Sequence, residues 1–289
     1  MGNTNVAVII PTFGRGDRVF TTLEKVLSCD PSPEEIFVHI DQRDEALRDL
    51  IGQRFPSVSV LMSPGRIGPG GGRDRCLQRC KSPFAVSFDD DSYPIDSDYF
   101  ARVIALFYHH PGVAVLAARV WARGESPPAI NQSTRSVASF TGCGFAIRTV
   151  AYRQTFGFID RPLAYGIEEV DLSLQLVALD WTIMESHELR VMHDTDLAHR
   201  ETLTTAAAMV CNVGLLAYLR YPLTMFGWAA LQIGNMTRFQ IMKGQIIGAL
   251  IGLIKTPLEC WRYRRLRRPL PTEAVKRYLA LRPQRKPLF

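Results

Sequence analysis

The sequence predicts an α/β protein, with a mainly parallel sheet covered by helices on both faces and a helical region appended at the C-terminus. Three observations carry this. Short apolar runs of strand length alternate with helically spaced segments through roughly the first 200 residues. Polar groups able to do chemistry directly follow three of the runs: Pro11-Thr12, Asp41 and Asp89-Asp90-Asp91. After residue 201 the chain turns to long uncharged stretches and ends in a basic tail.

In order, Val6 to Ile10 reads as a buried strand, Arg18 to Leu27 as a helix and Glu35 to Ile40 as a strand ending at Asp41. Glu45 to Phe55 is a helix and Val58 to Met62 a strand. The glycine-rich run Gly65 to Gly72 opens a helix that lasts to Cys80. Phe84 to Phe88 is a strand running into the acidic triplet, followed by a helix from Asp98 to His110 and a strand from Val113 to Ala118. Val137 to Arg148 has strand character. Val170, Leu174, Val177 and Trp181 recur at helical spacing, so Glu168 to Asp180 is a helix, and Thr182 to Met192 is a strand ending at His193. These elements place a catalytic domain at residues 1–200. Residues 201–289 form an apolar and basic helical region.

Composition narrows the class. At 47% hydrophobic and 21% charged residues over 289 positions, the chain is not intrinsically disordered. None of the six cysteines forms a C-x-x-C pair, so reduced, buried thiols of a cytoplasmic protein are expected, with no zinc site. The N-terminal apolar run has no basic segment before it and no cleavage site, so no secretory leader is expected. The net charge of +6 is uneven: from Lys255 onward there are 11 Lys or Arg against 2 acids, which leaves the rest of the chain at −3. Such a tail suits an anionic surface, and peripheral docking on the inner face of the plasma membrane is the expectation. Packing on the protein and true membrane spanning are the alternatives. The tail lacks regular aromatic interleaving, and the acidic triplet suits phosphate chains poorly without a cation, so no nucleic acid partner is expected.

Three adjacent carboxylates repel one another, and a hard cation such as Mg²⁺ or Mn²⁺ would relieve that repulsion while bridging to phosphate oxygens. On residues alone, a solvated turn explains the triplet as well. The run Gly65 to Arg73 matches neither a dinucleotide fingerprint nor a Walker A loop, yet glycines opening a helix leave backbone N–H groups for an anion. Glu168, Glu169 and Asp171 begin a helix, where acids complement the dipole; one of them aimed into a cleft would serve as a general base. His193 follows a strand and could be a further metal ligand or a structural histidine.

In this order the motifs resemble the inverting family 2 glycosyltransferases of GT-A fold. The residues that carry the likeness are Val8 to Arg15, Asp41, Gly68 to Asp74, Phe88 to Asp91, Glu168 to Leu172 and His193. Within the family the chain looks closest to bacterial rhamnosyltransferase-like members. The resemblance implies a nucleotide-diphosphate sugar donor and a carbohydrate or lipid-linked acceptor, in polysaccharide or glycolipid synthesis. It puts Pro11, Thr12, Arg15, Asp41, Gly70, Arg73, Asp89 and Asp90 against the donor. Asp91, Asp89 and His193 would hold Mg²⁺ or Mn²⁺. Glu169 is the first choice for the base, Glu168 the second and Asp171 the third. Two departures bear on base selectivity: Gln42-Arg43-Asp44 after Asp41, and Asp74 after Arg73. The rivals are a sugar-nucleotide pyrophosphorylase, for which Pro11 to Arg15 is a poor phosphate loop, and a non-catalytic nucleotide-sugar-binding membrane protein.

Overall fold

Val6–Thr12 (β1) is buried along all seven residues, as a strand must be when both faces of its sheet are covered. It belongs to a computed structural model that describes residues 4–163, 166–194 and 202–282. Arg18–Leu27 (α1) follows and buries Val19, Leu23 and Val26 at helical spacing. Glu35–Ile40 (β2), Glu45–Arg54 (α2) and Ser59–Met62 (β3) come next. Gly68–Arg79 (α3) then leads into Phe84–Ser87 (β4). Beyond the acidic triplet lie Ser92–Pro94 (β5), Tyr99–His109 (α4), Val113–Ala122 (β6), Thr134–Ser136 (β7), Phe145–Arg148 (β8) and the short helix Thr149–Tyr152 (α5). Glu168–Ala178 (α6) precedes Thr182–His193 (β9).

The sheet runs β3-β2-β1-β4-β8-β6-β9-β5, with β7 paired to β9. β3, β2, β1 and β4 are parallel, as are β6 and β9. β8 enters antiparallel between β4 and β6, and β5 and β7 pair antiparallel to β9. The sheet is therefore mixed and mostly parallel. The expected strand from Val137 to Arg148 shrinks to β8, because the chain before it turns through Thr141 and Gly144. β5 and β7 are only three residues long, too short to leave a period in the sequence.

Contacts group the chain into two compact units, Met1–Pro162 with Asp180–Asp196, and Leu163–Leu179 with Leu197–Phe289. The boundary expected at residue 200 lies outside the described residues, and α6 groups with the C-terminal helices. In the first unit the core joins β1, β2 and β4 to the buried faces of α1 and α4. Among its described residues the second unit has helices and no strand: α6, Leu203–Arg220 (α7), Phe226–Met242 (α8), Ile246–Arg262 (α9) and Thr272–Leu281 (α10). Thr202 caps α7 by accepting from Thr205 N. Asp171 of α6 and Arg220 of α7 are buried together, with both Asp171 oxygens accepting from the guanidinium and Gln175 Nε2 donating to Oδ2 at 2.9 Å.

That pair yields a stability prediction. Removing one partner leaves a charge buried without its counter-ion. Asp171→Ala is expected to destabilise the second unit by about 3–5 kcal/mol, while Asp171→Leu with Arg220→Met recovers most of the loss. Urea unfolding of the three chains decides it; equal stabilities would mean that the pair contributes nothing.

Candidate active site

The parallel strands β1, β2 and β4 end at one edge of the sheet, and their next residues are polar. Such an edge is where α/β sheets bind ligands. Thr12 Oγ1, at the end of β1, donates to Asp90 Oδ2 at 2.8 Å. Thr22 Oγ1 of α1 donates to the Asp90 carbonyl at 3.0 Å. Gly14 and Gly16 both have positive φ, +63° and +53°, a conformation that costs glycine little. The turn they allow brings Arg15 onto the triplet, where Nη1 reaches Asp90 Oδ1 at 3.2 Å and also pairs with Asp91 Oδ2. Arg18 Nη1 stands 3.7 Å from the same Asp91 oxygen.

β5 fixes the other side of the triplet. Ser92 pairs with His193 across the β5–β9 ladder, and Asp194 N donates to the Asp91 carbonyl at 2.7 Å. His193 Nε2 thereby lies 3.2 Å from Asp91 Oδ1, a buried carboxylate oxygen. Ser92 Oγ donates to the Cys143 carbonyl at 2.9 Å and accepts from Asp89 N at 2.7 Å. As a result one ligand atom each from Asp89, Cys143 and His193 lies within 4.8 Å of the others. The carboxylates of Asp89 and Asp91 suit a hard divalent cation such as Mn²⁺, with the His193 imidazole as a further donor, whereas the neighbouring Cys143 thiol is a soft group that suits it poorly.

Burial and neighbouring charge divide the triplet. Burial pushes the Asp90 carboxyl up to about 6, against Arg15 and Thr12, which pull it down, and with Asp91 and Asp89 adding repulsion. Burial would also raise Asp91, but His193 and Arg15 outweigh it and hold that carboxyl at about 2. Burial, then the nearby Asp89 charge, pushes the Cys143 thiol well up. The folded state thus binds a proton at Asp90 more tightly than the unfolded chain does, so wild-type stability falls as pH rises from about 4 to about 6. Asp90→Asn has no such titration. Without metal, the stability of Asp90→Asn relative to wild type is expected to climb across that window by roughly 1–3 kcal/mol. Urea melts at several pH values test this, and a constant difference would refute it.

The other donor candidates are positioned less directly. Both Asp41 oxygens accept backbone N–H groups at the start of α3, from Ile67 at 2.7 Å and Gly68 at 3.0 Å. Arg73 is buried, donating from Nε to Ser87 Oγ at 2.9 Å and from Nη2 to Asp89 Oδ1 at 2.5 Å, so it holds Asp89 in place. Gly70 is buried in the first turn of α3, and Pro11 is buried in β1. The glycine run serves packing: a Cβ on Gly72 would stand 2.7 Å from His39 Nδ1 and 3.2 Å from Pro11 Cβ. The structure thus gathers Thr12, Arg15, Asp41, Arg73, Asp89, Asp90, Asp91 and His193 in the first unit. Glu168, Glu169 and Asp171 stand at the start of α6, in the second. Glu168 is buried and Glu169 half-buried. Asp171, third choice as base, is buried and paired with Arg220, which accounts for it structurally.

Residues 3–123 match the model of glycosyltransferase like family 2. This stretch is a glycosyltransferase family 2 domain. No curated protein sequence matches the chain. Among solved structures, GalNAc-T7 with UDP, GalNAc and Mn²⁺ is similar over 75% of this chain and 48% of its own, at 13% identity and a TM-score of 0.60. The mannosyltransferase PcManGT from Pyrobaculum calidifontis, in complex with GDP-Man and Mn²⁺, is similar over 97% of this chain and 87% of its own, at 13% identity and a TM-score of 0.57. S. aureus TarS is similar over 73% of this chain and 39% of its own, at 15% identity and a TM-score of 0.55. The chain thus spans about half or less of the GalNAc-T7 and TarS chains. At these identities the likeness concerns the fold, and the expected GT-A fold with a C-terminal helical appendage is borne out.

The family 2 domain model ends at residue 123, yet two groups of the Asp–Cys–His cluster, Cys143 and His193, come from beyond it. Sequence reasoning missed Cys143, Thr22 and Ser92. For Cys143 a signal existed, the small-residue stretch Thr141-Gly142-Cys143-Gly144 that turns the chain before β8.

Proposed function

We propose that the protein is an inverting, metal-dependent glycosyltransferase that moves a sugar from a nucleotide-diphosphate donor to a hydroxyl of a carbohydrate or lipid-linked acceptor. We place it in bacterial polysaccharide or glycolipid synthesis. The observation that carries this reading is the cluster of Asp89, Cys143 and His193 beside Asp91, at the strand edge of a family 2 domain. Asp91, Asp89 and His193 would hold Mn²⁺ or Mg²⁺, which when bound supplies positive charge against the diphosphate oxygens. Thr12 and Arg15 keep Asp90 and Asp91 in position. Arg73 does the same for Asp89, and Asp41 orders the start of α3 where the nucleotide would lie.

Glu169 is the proposed base. Asp171 is committed to Arg220 and Glu168 is buried, whereas Glu169 is only half-buried. Glu169 takes the acceptor proton as the acceptor oxygen bonds to the anomeric carbon. The bond from that carbon to the diphosphate oxygen breaks, a nucleoside diphosphate leaves, and the configuration inverts.

A thermal-shift screen of UDP-, GDP- and dTDP-sugars with and without Mn²⁺ tests the reading, with a rhamnosyl donor as one arm. One donor class is expected to raise the melting temperature only with metal, because a ligand stabilises the state it binds. With acceptor present, that donor should release a nucleoside diphosphate; pyrophosphate exchange would point to a nucleotidyltransferase. Failure of every donor to shift the protein would overturn the assignment.

A further inference from the structure

α9 turns its small residues inward and its large apolar residues outward, the reverse of an ordinary water-soluble helix. Gly248, Ala249 and Gly252 are its buried residues. They pack tightly on α7: a Cβ on Gly252 would lie 2.6 Å from Ala207 O, and one on Gly248 2.8 Å from Ala206 Cβ. The opposite face carries Ile247, Leu250, Ile254, Leu258 and Trp261, spaced three or four residues apart. All five are exposed, Ile254 at 77% and Trp261 at 63%. One apolar stripe therefore runs the length of the helix, and a contiguous exposed patch of this kind marks an interaction surface.

The charges beside the stripe indicate its partner. At 100° per residue, Lys255 and Arg262 fall on one border of the stripe. Arg264, Arg265 and Arg268 follow and are exposed. Between Gln245 and Arg268 the sole acid is Glu259, which is not among the exposed residues. The Arg264 guanidinium lies 4.3 Å from the Trp261 ring centroid, joining an aromatic anchor to a cation at the same end. A second copy of the stripe docked symmetrically would bring two basic borders into the same interface, which like-charge repulsion opposes. Spanning is also disfavoured. α9 has 17 residues and carries Lys255, Glu259 and Arg262, and at 1.5 Å per residue it would reach about 26 Å, short of a bilayer core of about 30 Å. Among the described residues, the one helix long and apolar enough to span is Leu203–Arg220, and 67% of it is buried inside the protein.

We propose that the exposed stripe of α9, with its basic border, is a docking surface for an anionic lipid bilayer, on which the helix lies in the interfacial plane. Flotation of the full chain tests this, using phosphatidylcholine vesicles with and without phosphatidylglycerol. Wild type is expected to bind the anionic vesicles at least about tenfold more tightly, and less tightly as salt is raised. Ile254→Asp with Leu258→Asp, and separately Arg264→Glu with Arg265→Glu, should each weaken binding by about tenfold or more. All these side chains are exposed, and circular dichroism checks that each variant folds. For wild type itself, bromine-labelled lipids should quench tryptophan fluorescence, and Trp261→Phe should lose most of that quenching. Failure of wild type to bind anionic vesicles would overturn the proposal. So would wild-type binding by both double variants, or a dimer in solution that Ile254→Asp abolishes, since a second copy would then be the occupant.

Discussion

Asp91→Ala is expected to lower turnover by about 10³-fold and to abolish any stabilisation by nucleotide sugar that depends on Mn²⁺. The surroundings of Asp91 hold its carboxyl at about 2, so it stays ionised at any pH where the protein is handled. Its Oδ1 is buried 3.2 Å from His193 Nε2, while Oδ2 faces Arg15 and Arg18. A cation therefore meets a permanent charge beside His193. A metal held there would supply several kcal/mol of stabilisation to the departing diphosphate, and each 1.36 kcal/mol is tenfold in rate. The fold should survive the change, because Arg15 and Arg18 are partly exposed and water can solvate them. Steady-state rates and the donor-induced melting shift, both with and without Mn²⁺, check the result. An Asp91→Ala protein with wild-type turnover would remove the metal from the proposed mechanism.

Glu169→Gln should lower turnover by about 10²–10⁴-fold while leaving the metal-dependent donor shift intact. The amide keeps the shape and much of the hydrogen bonding but cannot accept the acceptor proton. Glu168→Gln should have a smaller effect on turnover, and Asp171 should show its importance in stability, through Arg220. This division is informative because all three acids sit within the first turn of α6, where they complement the helix dipole equally well. Measured under single-turnover conditions, full activity in Glu169→Gln would move the base to another residue.

Much of the fold was legible in the chain. Val6 to Ile10, Glu35 to Ile40 and Phe84 to Phe88 are buried strands with polar residues directly after them, and burial on both faces selects for unbroken apolar runs. Legibility failed where elements are short or paired over long distances. The three residues of β5 carry no period, yet their pairing with β9 is what sets His193 beside Asp91. The resemblance puts Arg73 against the donor, but it is buried against Ser87 and Asp89. Cys143 has no charged or motif-like neighbour, and its place near Asp89 depends on Ser92 holding its carbonyl.

By itself, then, the sequence determined the α/β class, the parallel strand edge and the acidic triplet that ends β4, because burial and turn chemistry are written locally. It also marked an uncharged, then basic, C-terminal region. Only the tertiary structure decided that the Asp91 carboxyl is held low and that of Asp90 pushed up, which acid of α6 is locked to Arg220 and which face of α9 remains uncovered. Each of these depends on partners brought together from distant parts of the chain, and desolvation and charge pairing arise only once those partners meet.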